Sequence, residues 1–321
     1  MKAMYRIKQF LIFTAITSLV LLSVPVESQA INGTYIYNLS NFTGALPYNW
    51  VRIHTDKVNN EIYVINPSDG SVRIFNESGM EIFRFGEDGS LGGIYDVAVN
   101  KEGNLLILSF NTQGTGPKYS IIRCNYRGEP ISNIEMKSLP PEFSNFMPSR
   151  LIYREGLLYL PSPGQMKVLV IDENGNFKDS YDLAALLELD EKKKSETDFF
   201  GFSVDKEGNM YFTIPMVFKA YKLSPDRNLT YFGRKGSQEG RFSVISGIVI
   251  DDRGYIYIAD TLRCVVMIFD QDFRFQTEFG YRGFKPRNLI APRELEVDGK
   301  GKIYITQMRK RGVSVYKIDY Q

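Results

Sequence analysis

One phrase recurs six times along this chain and restricts its fold more than any other feature. It is an apolar strand, a polar turn containing Gly or Asn, and then a strand rich in Tyr, Ile and Leu. The copies are HTDKVNNEIYVI (54–65), AVNKEGNLLIL (98–108), IYREGLLYL (152–160), SVDKEGNMYFT (203–213), VIDDRGYIYIA (249–259) and EVDGKGKIYIT (296–306). With Tyr63, Leu106, Tyr159, Tyr211, Tyr257 and Tyr304 as equivalents, the steps are 43, 53, 52, 46 and 47 residues. A short polar turn between two alternating apolar runs specifies a β-hairpin. Each copy is followed by sequence for a second hairpin, as in SVRIFNESGMEIFRFG (71–86) and CVVMIFDQDFRFQTEFG (264–280). Four short strands in each of six repeats cannot bury both faces of one sheet alone. Neighbouring sheets must cover them, so the array closes into an all-β, six-bladed β-propeller of four-stranded antiparallel blades.

Two departures from the repeat are informative. Between the third and fourth copies, Tyr181–Leu189 (YDLAALLEL) and the charged run DEKKKSETD read as an inserted helix followed by a polar loop. The sixth copy ends one strand short of four, while Gly33–Leu39 (GTYIYNL) precedes the first copy as a surplus strand. The N-terminal strand is therefore expected to complete the last blade and cover an edge that would otherwise stay open.

Residues 1–30 read as a cleaved signal peptide, with residues 31–321 forming a single propeller domain. Lys2, Arg6 and Lys8 make a basic start, an apolar run follows from Phe10 to Val26, and Ser28-Gln29-Ala30 supplies small residues for cleavage. A retained anchor is the rival reading, but the run is 17 residues long and is interrupted by Thr14, Thr17, Ser18, Ser23 and Pro25. Cleavage removes three cations and Glu27, leaving 36 basic and 36 acidic residues and a net charge of zero. An exported protein, periplasmic or extracellular, is expected. That balance argues against broad nucleic-acid binding. With one His and two Cys, zinc fingers and a disulfide-built scaffold are excluded. Cys124 and Cys264 fall in the second and fifth blades and are expected to be unpaired buried thiols.

The stretch FGRKGSQEGRFSVISGIVIDDRGYIYIADTLRCVVMIFD (232–270) resembles an NHL repeat, with its "FG…Gs..G.F" and "giavD..GyiYiaDt…v.vFd" phrases. The fourth blade and parts of the first and sixth fit more loosely, and the second and third are degenerate. The resemblance implies a six-bladed propeller and no single activity, because similar propellers bind protein, bind RNA or act as enzymes.

The upper ends of the inner strands should surround the central channel. Four residues before the Asp or its equivalent that ends each inner strand stand Arg52, Asp96, Arg150, Gly201, Gly247 and Glu294. NHL repeats usually have Gly there, so four charges are a departure. They form either a set of ion pairs across the channel mouth or a site for a polar ligand. His54 and Glu296 lie two residues further along, and with Asp96 and Glu294 they are the candidate ligands for a divalent cation. The resemblance extends to gluconolactonase-like propellers, which hold a cation with a few oxygens at this place. Amidating-lyase propellers use several histidines, which this chain lacks.

The loops between second and third strands should share a face with that mouth. Asp260, Thr261 and Arg263 match the family's "DT.n.R", which braces this loop from within. Arg309, Lys310 and Arg311 have no counterpart in the repeat, and residues 281–321 hold ten cations against four carboxylates. They mark a candidate contact for an anionic partner, or else a solvated face. No nucleophile arrangement, phosphate loop or dinucleotide fingerprint appears. The expected function is a monomeric exported scaffold that binds a protein or polysaccharide through this face and needs no cofactor. The alternative is a metal-assisted hydrolase or lyase working at the channel mouth.

Overall fold

The computed structural model describes residues 31–41, 44–45, 51–111, 118–308 and 311–320; the expected signal segment and the cations Arg309 and Lys310 lie outside the described residues. Six four-stranded antiparallel sheets form a ring. From the axis outwards, blade 1 comprises Arg52–Asp56, Glu61–Asn66, Ser71–Phe75 and Glu81–Phe85, and blade 2 comprises Gly93–Val99, Leu105–Asn111, Lys118–Cys124 and Pro130–Ile134. Blade 3 is built from Ile152–Arg154, Leu157–Ser162, Lys167–Asp172 and Phe177–Asp182. Blade 4 follows with Phe202–Val204, Met210–Ile214, Lys219–Leu223 and Leu229–Phe232, then blade 5 with Ile245–Ile250, Ile256–Asp260, Val265–Phe269 and Phe275–Phe279.

Blade 6 draws on both ends of the chain. Pro292–Val297, Lys302–Gln307 and Gly312–Tyr320 are completed by Ile31–Asn38, which pairs antiparallel with the last strand from Ile31 opposite Tyr320 to Asn38 opposite Ser314. The N-terminal strand thus closes the ring, as its surplus position in the repeat implied. It is fastened sideways too. The Tyr37 hydroxyl donates to the Glu77 carbonyl of blade 1 at 2.6 Å, and Tyr320 on the paired strand donates to Asp251 of blade 5 at 2.7 Å.

Strands such as Glu61–Asn66 are apolar on both faces because both are covered. Ile62 and Val64 pack against Tyr304, Val313 and Val315 of blade 6, whereas Tyr63 and Ile65 pack against Val97, Leu105 and Ile107 of blade 2. The period of two therefore sorts side chains between two interfaces rather than between core and water. The core consists of such clusters between successive blades, and each fully buried aliphatic side chain contributes roughly 1.5–3 kcal/mol. The "D…G…Y" element of the repeat has a local cause. Asp205, Asp251 and Asp298 stand just after inner strands, accept backbone N–H groups of the following turn, and accept the hydroxyl of the Tyr six residues on, at 3.1, 2.9 and 3.4 Å respectively.

The insertion between blades 3 and 4 differs from the single expected helix. Tyr181 and Asp182 end a strand, the first helix is only Leu183–Leu186, and a second helix forms at Glu191–Glu196 inside the charged run. Asp182 and Asp190 cap the two helices by accepting the backbone N–H groups of Ala185 and Lys193, and these caps divide the stretch in two. Cys124 and Cys264 are unbridged and buried. No helix among the described residues is long and apolar enough to cross a membrane.

Deleting residues 31–40 should expose the full hydrogen-bonding edge of Gly312–Tyr320 and the apolar side chains beneath it. The expected outcome is loss of the cooperative thermal transition, or aggregation, followed by circular dichroism and light scattering. An unchanged melting temperature would contradict closure by this strand.

Candidate functional site

Three of the inner strands carry a bulge at the height of the predicted charges. Pairing skips from Ile94 to Asp96 in blade 2, from Ile245 to Ile248 in blade 5 and from Pro292 to Leu295 in blade 6. An extra residue at each place re-aims the neighbouring side chains. In blade 6 it leaves both Arg293 and Glu294 at the upper end of the channel, where they line one cavity with Arg52 and Arg150.

The four charges chosen from the repeat meet in one network. The Arg150 Nε donates to Asp96 Oδ2 at 2.9 Å, one of its terminal nitrogens lies 3.2 Å from Glu294 Oε1, and Arg52 reaches the same oxygen at 3.4 Å. Asp96 is the most enclosed, with its side chain 2% exposed; it also accepts the backbone N–H groups of Val97 and Leu151. Burial works against the charge on Arg150, and the carboxylates of Glu294, Asp96 and Glu296 more than offset it, holding its pKa above the usual arginine value. The two Gly copies do not join this network because blades 4, 5 and 6 approach too closely. A Cβ on Gly201 would fall 2.5 Å from the Ser246 carbonyl, and one on Gly247 would fall 2.2 Å from the Arg293 carbonyl. The ring is pinched between blades 4 and 6, and charges from blades 1, 2, 3 and 6 fill the remaining space.

The network divides the channel. Above it is a cavity of about 320 Å³ lined by Arg52, Arg150, Asp198, Phe200, Arg293 and Glu294. Arg293 stacks over the Phe200 ring at 5.3 Å. Below it, Arg150 and Asp96 form the roof of a second cavity of about 210 Å³ that contains His54, Glu296 and Arg154. His54 is held neutral. Burial pushes its pKa down to about 4 against the pull of Asp96 and Asp56, and its Nε2 accepts the Val99 N–H at 3.3 Å. Burial pushes Glu296 up to about 7, opposed by Arg150, Arg154 and Lys57. Three of the four cation candidates already have partners, whereas the second oxygen of Glu294 is buried without one. Asp96 and one oxygen of Glu294 bind guanidinium groups, and the His54 lone pair faces a peptide N–H. Among the described residues, no three His, Cys, Asp or Glu side chains converge on one point.

The other sequence candidates separate. Arg311 turns back to the preceding loop, where its guanidinium donates to the carbonyls of Phe284, Lys285 and Asn288 at 2.9, 2.8 and 3.2 Å. It is a brace rather than an outward-facing cation. Asp260 accepts the N–H groups of Ser243, Leu262 and Arg263, and Thr261 donates to the Pro292 carbonyl, so this loop is indeed braced from within. Reading one position per repeat missed Arg293, which the bulge brings to the mouth, and Phe200 beneath it. Arg154, which stands where other copies have Asp or Asn, was visible as an exception to the pattern.

No family model matches the chain. A 77-residue segment, 24% of the chain, is 34% identical to Protein brain tumor of Drosophila melanogaster, and it spans 7% of that protein's length. Among solved structures, a structural genomics protein of unknown function from Bacteroides thetaiotaomicron is similar over 90% of this chain and 76% of its own, with TM-score 0.61 and 15% identity. A gluconolactonase from Xanthomonas campestris is similar over 91% of this chain and 92% of its own, with TM-score 0.56 and 11% identity. At such identities these likenesses show the propeller fold alone.

Two outcomes test the channel. Asp96→Ala leaves Arg150 buried beside a cavity and should cost about 3 kcal/mol or more in denaturant unfolding; a loss under about 1 kcal/mol would mean the pair is not desolvated. For Glu296 the folded pKa lies above the ordinary carboxylate value, so the folded state holds the extra proton and wild-type stability declines as pH rises between about 4.5 and 7. Glu296→Gln removes that decline. The stability of the variant relative to wild type should rise with pH by up to about 1.4 kcal/mol per unit across this window. A pH-independent difference would place Glu296 in contact with solvent.

Proposed function

We propose that this chain is an exported NHL-like propeller that binds a protein partner through the face bearing the channel mouth. What carries the reading is the collection of exposed apolar side chains on that face. Met147, Phe200, Met216, Val217, Leu262 and Phe284 are all exposed, and all lie in blade connections or second-to-third-strand loops. With Arg52 and Arg293 beside them, this is the Met, aromatic and Arg composition that distinguishes interface centres from ordinary surface. The likeness to Protein brain tumor and the repeat phrase at 232–270 support the NHL assignment. Aliphatic and Met side chains offer no hydrogen bonds to sugar hydroxyls, so a protein fits this surface better than a polysaccharide. In this reading the charge network stiffens the floor of the face, and the cation chemistry of the alternative hydrolase or lyase has no role.

The test compares wild type with the double variant Phe200→Glu, Met216→Glu in capture from the envelope fraction of the native host. Both positions are exposed, so the melting temperature should change by only a few degrees. One or a few proteins retained by wild type should be depleted at least tenfold with the variant. Equal retention would move the binding surface elsewhere. Lactone hydrolysis by the purified protein that depends on an added divalent cation would favour the enzyme.

A further inference from the structure

The same face carries a second cavity, about 390 Å³, between blades 5 and 6 and away from the channel. Val244, Leu262, Phe284, Ile290 and Ala291 give it apolar walls, and Arg282 is the charged side chain at its rim. Its volume lies within the roughly 300–1,000 Å³ typical of ligand pockets. We propose that this cavity anchors a bulky apolar side chain of a partner peptide whose neighbouring residues are acidic. The proposal rests on the protein-binding reading and names the chemistry of the partner.

Three observations support this occupant. First, the wall is built in advance. Phe284 is 78% exposed, yet its loop is tied by the three strong Arg311 contacts, by Leu289 N–H donating to the Tyr281 carbonyl at 3.0 Å, and by the Tyr316 hydroxyl donating to the Arg287 carbonyl at 2.6 Å. The backbone that carries Phe284 is therefore held in place, and a preformed wall lowers the ordering cost of binding. Second, the rim is cationic over a stretch of chain. Between Phe279 and Arg293 stand Arg282, Lys285, Arg287 and no carboxylate. Third, those cations are spread rather than convergent. Arg282 is turned to the Leu262 carbonyl at 2.5 Å, while Arg287 lies 5.9 Å from the centre of the Tyr281 ring. A single carboxylate on a small amphiphile would be met by one focused group, whereas dispersed cations complement a run of acidic residues.

The experiment measures fluorescence anisotropy of labelled hexapeptides with the full chain. The probes are Glu-Asp-Phe-Leu-Asp-Glu, its neutral form Gln-Asn-Phe-Leu-Asn-Gln, and its anchorless form Glu-Asp-Ala-Ala-Asp-Glu. The acidic anchored peptide should bind at least tenfold more tightly than either control, and less tightly at 300 mM than at 50 mM salt. Val244→Trp, which fills the cavity, and Leu262→Glu, which opposes an acidic ligand, should each reduce binding at least tenfold with an unchanged melt. Equal binding of the anchorless peptide would overturn the proposal, as would absence of measurable binding by the anchored one. Displacement of the peptide by decanoate at lower concentration than by unlabelled peptide would overturn it in favour of a small amphiphile. If an extract partner is lost with Phe200→Glu, Met216→Glu but kept by both cavity variants, the protein-binding reading stands and only this pocket assignment fails.

Discussion

Every blade of this molecule has a sheet that is apolar on both faces, and that constraint decides the rest. A lone blade would leave both faces in water, so each must be covered by two neighbours and the array must close. Closure in turn requires a strand from one end of the chain to pair with the other end, and Ile31–Asn38 on Gly312–Tyr320 meets that requirement. The lateral ties of Tyr37 to blade 1 and Tyr320 to blade 5 show how the closing pair is held by both sides. Stability is thus distributed around the circle, with no single blade forming an independent core.

The same ring explains why charge collects at the axis. Inner strands converge there and cannot all carry side chains of ordinary size. Blades 4 to 6 answer with Gly201 and Gly247 at near-contact backbone, and the space that remains is filled by Arg52, Asp96, Arg150 and Glu294. A buried network of this kind adds little net stability compared with an apolar filling, but removal of one member leaves a stranded charge. Its effect is to close the channel and separate a mixed-charge basin above from a chamber below in which His54 and Glu296 are both held neutral near pH 6. The rim of the face carries exposed apolar side chains instead.

Much of this was legible in the sequence for physical reasons. Blade number follows from hairpin spacing, closure from the missing strand, and the meeting of four charges from their common place in the repeat. The bulges were not legible. A period of two reports which face a residue occupies but is insensitive to one extra residue whose backbone partners lie on another strand, so Arg293 was overlooked. Arg311 reads as an exposed cation in the sequence because its acceptors, the carbonyls of 284–288, are more than twenty residues away and carry no side-chain signal. The inserted segment reads as one helix in the sequence because its apolar pattern conceals the capping roles of Asp182 and Asp190. The exposed apolar side chains of the channel-mouth face give no signal in the sequence, since they come from different loops and share a face only in the closed ring.

The central claim is that the two ends of the chain belong to one cooperative ring. Native-state hydrogen exchange tests it most directly. Paired amides of Ile31–Asn38 and Gly312–Tyr320 should exchange with the same free energy and denaturant dependence as those of inner strands such as Ile245–Ile250, because opening the seam exposes two interfaces. Rapid exchange of the N-terminal strand, independent of global unfolding, would contradict a ring closed by that pairing.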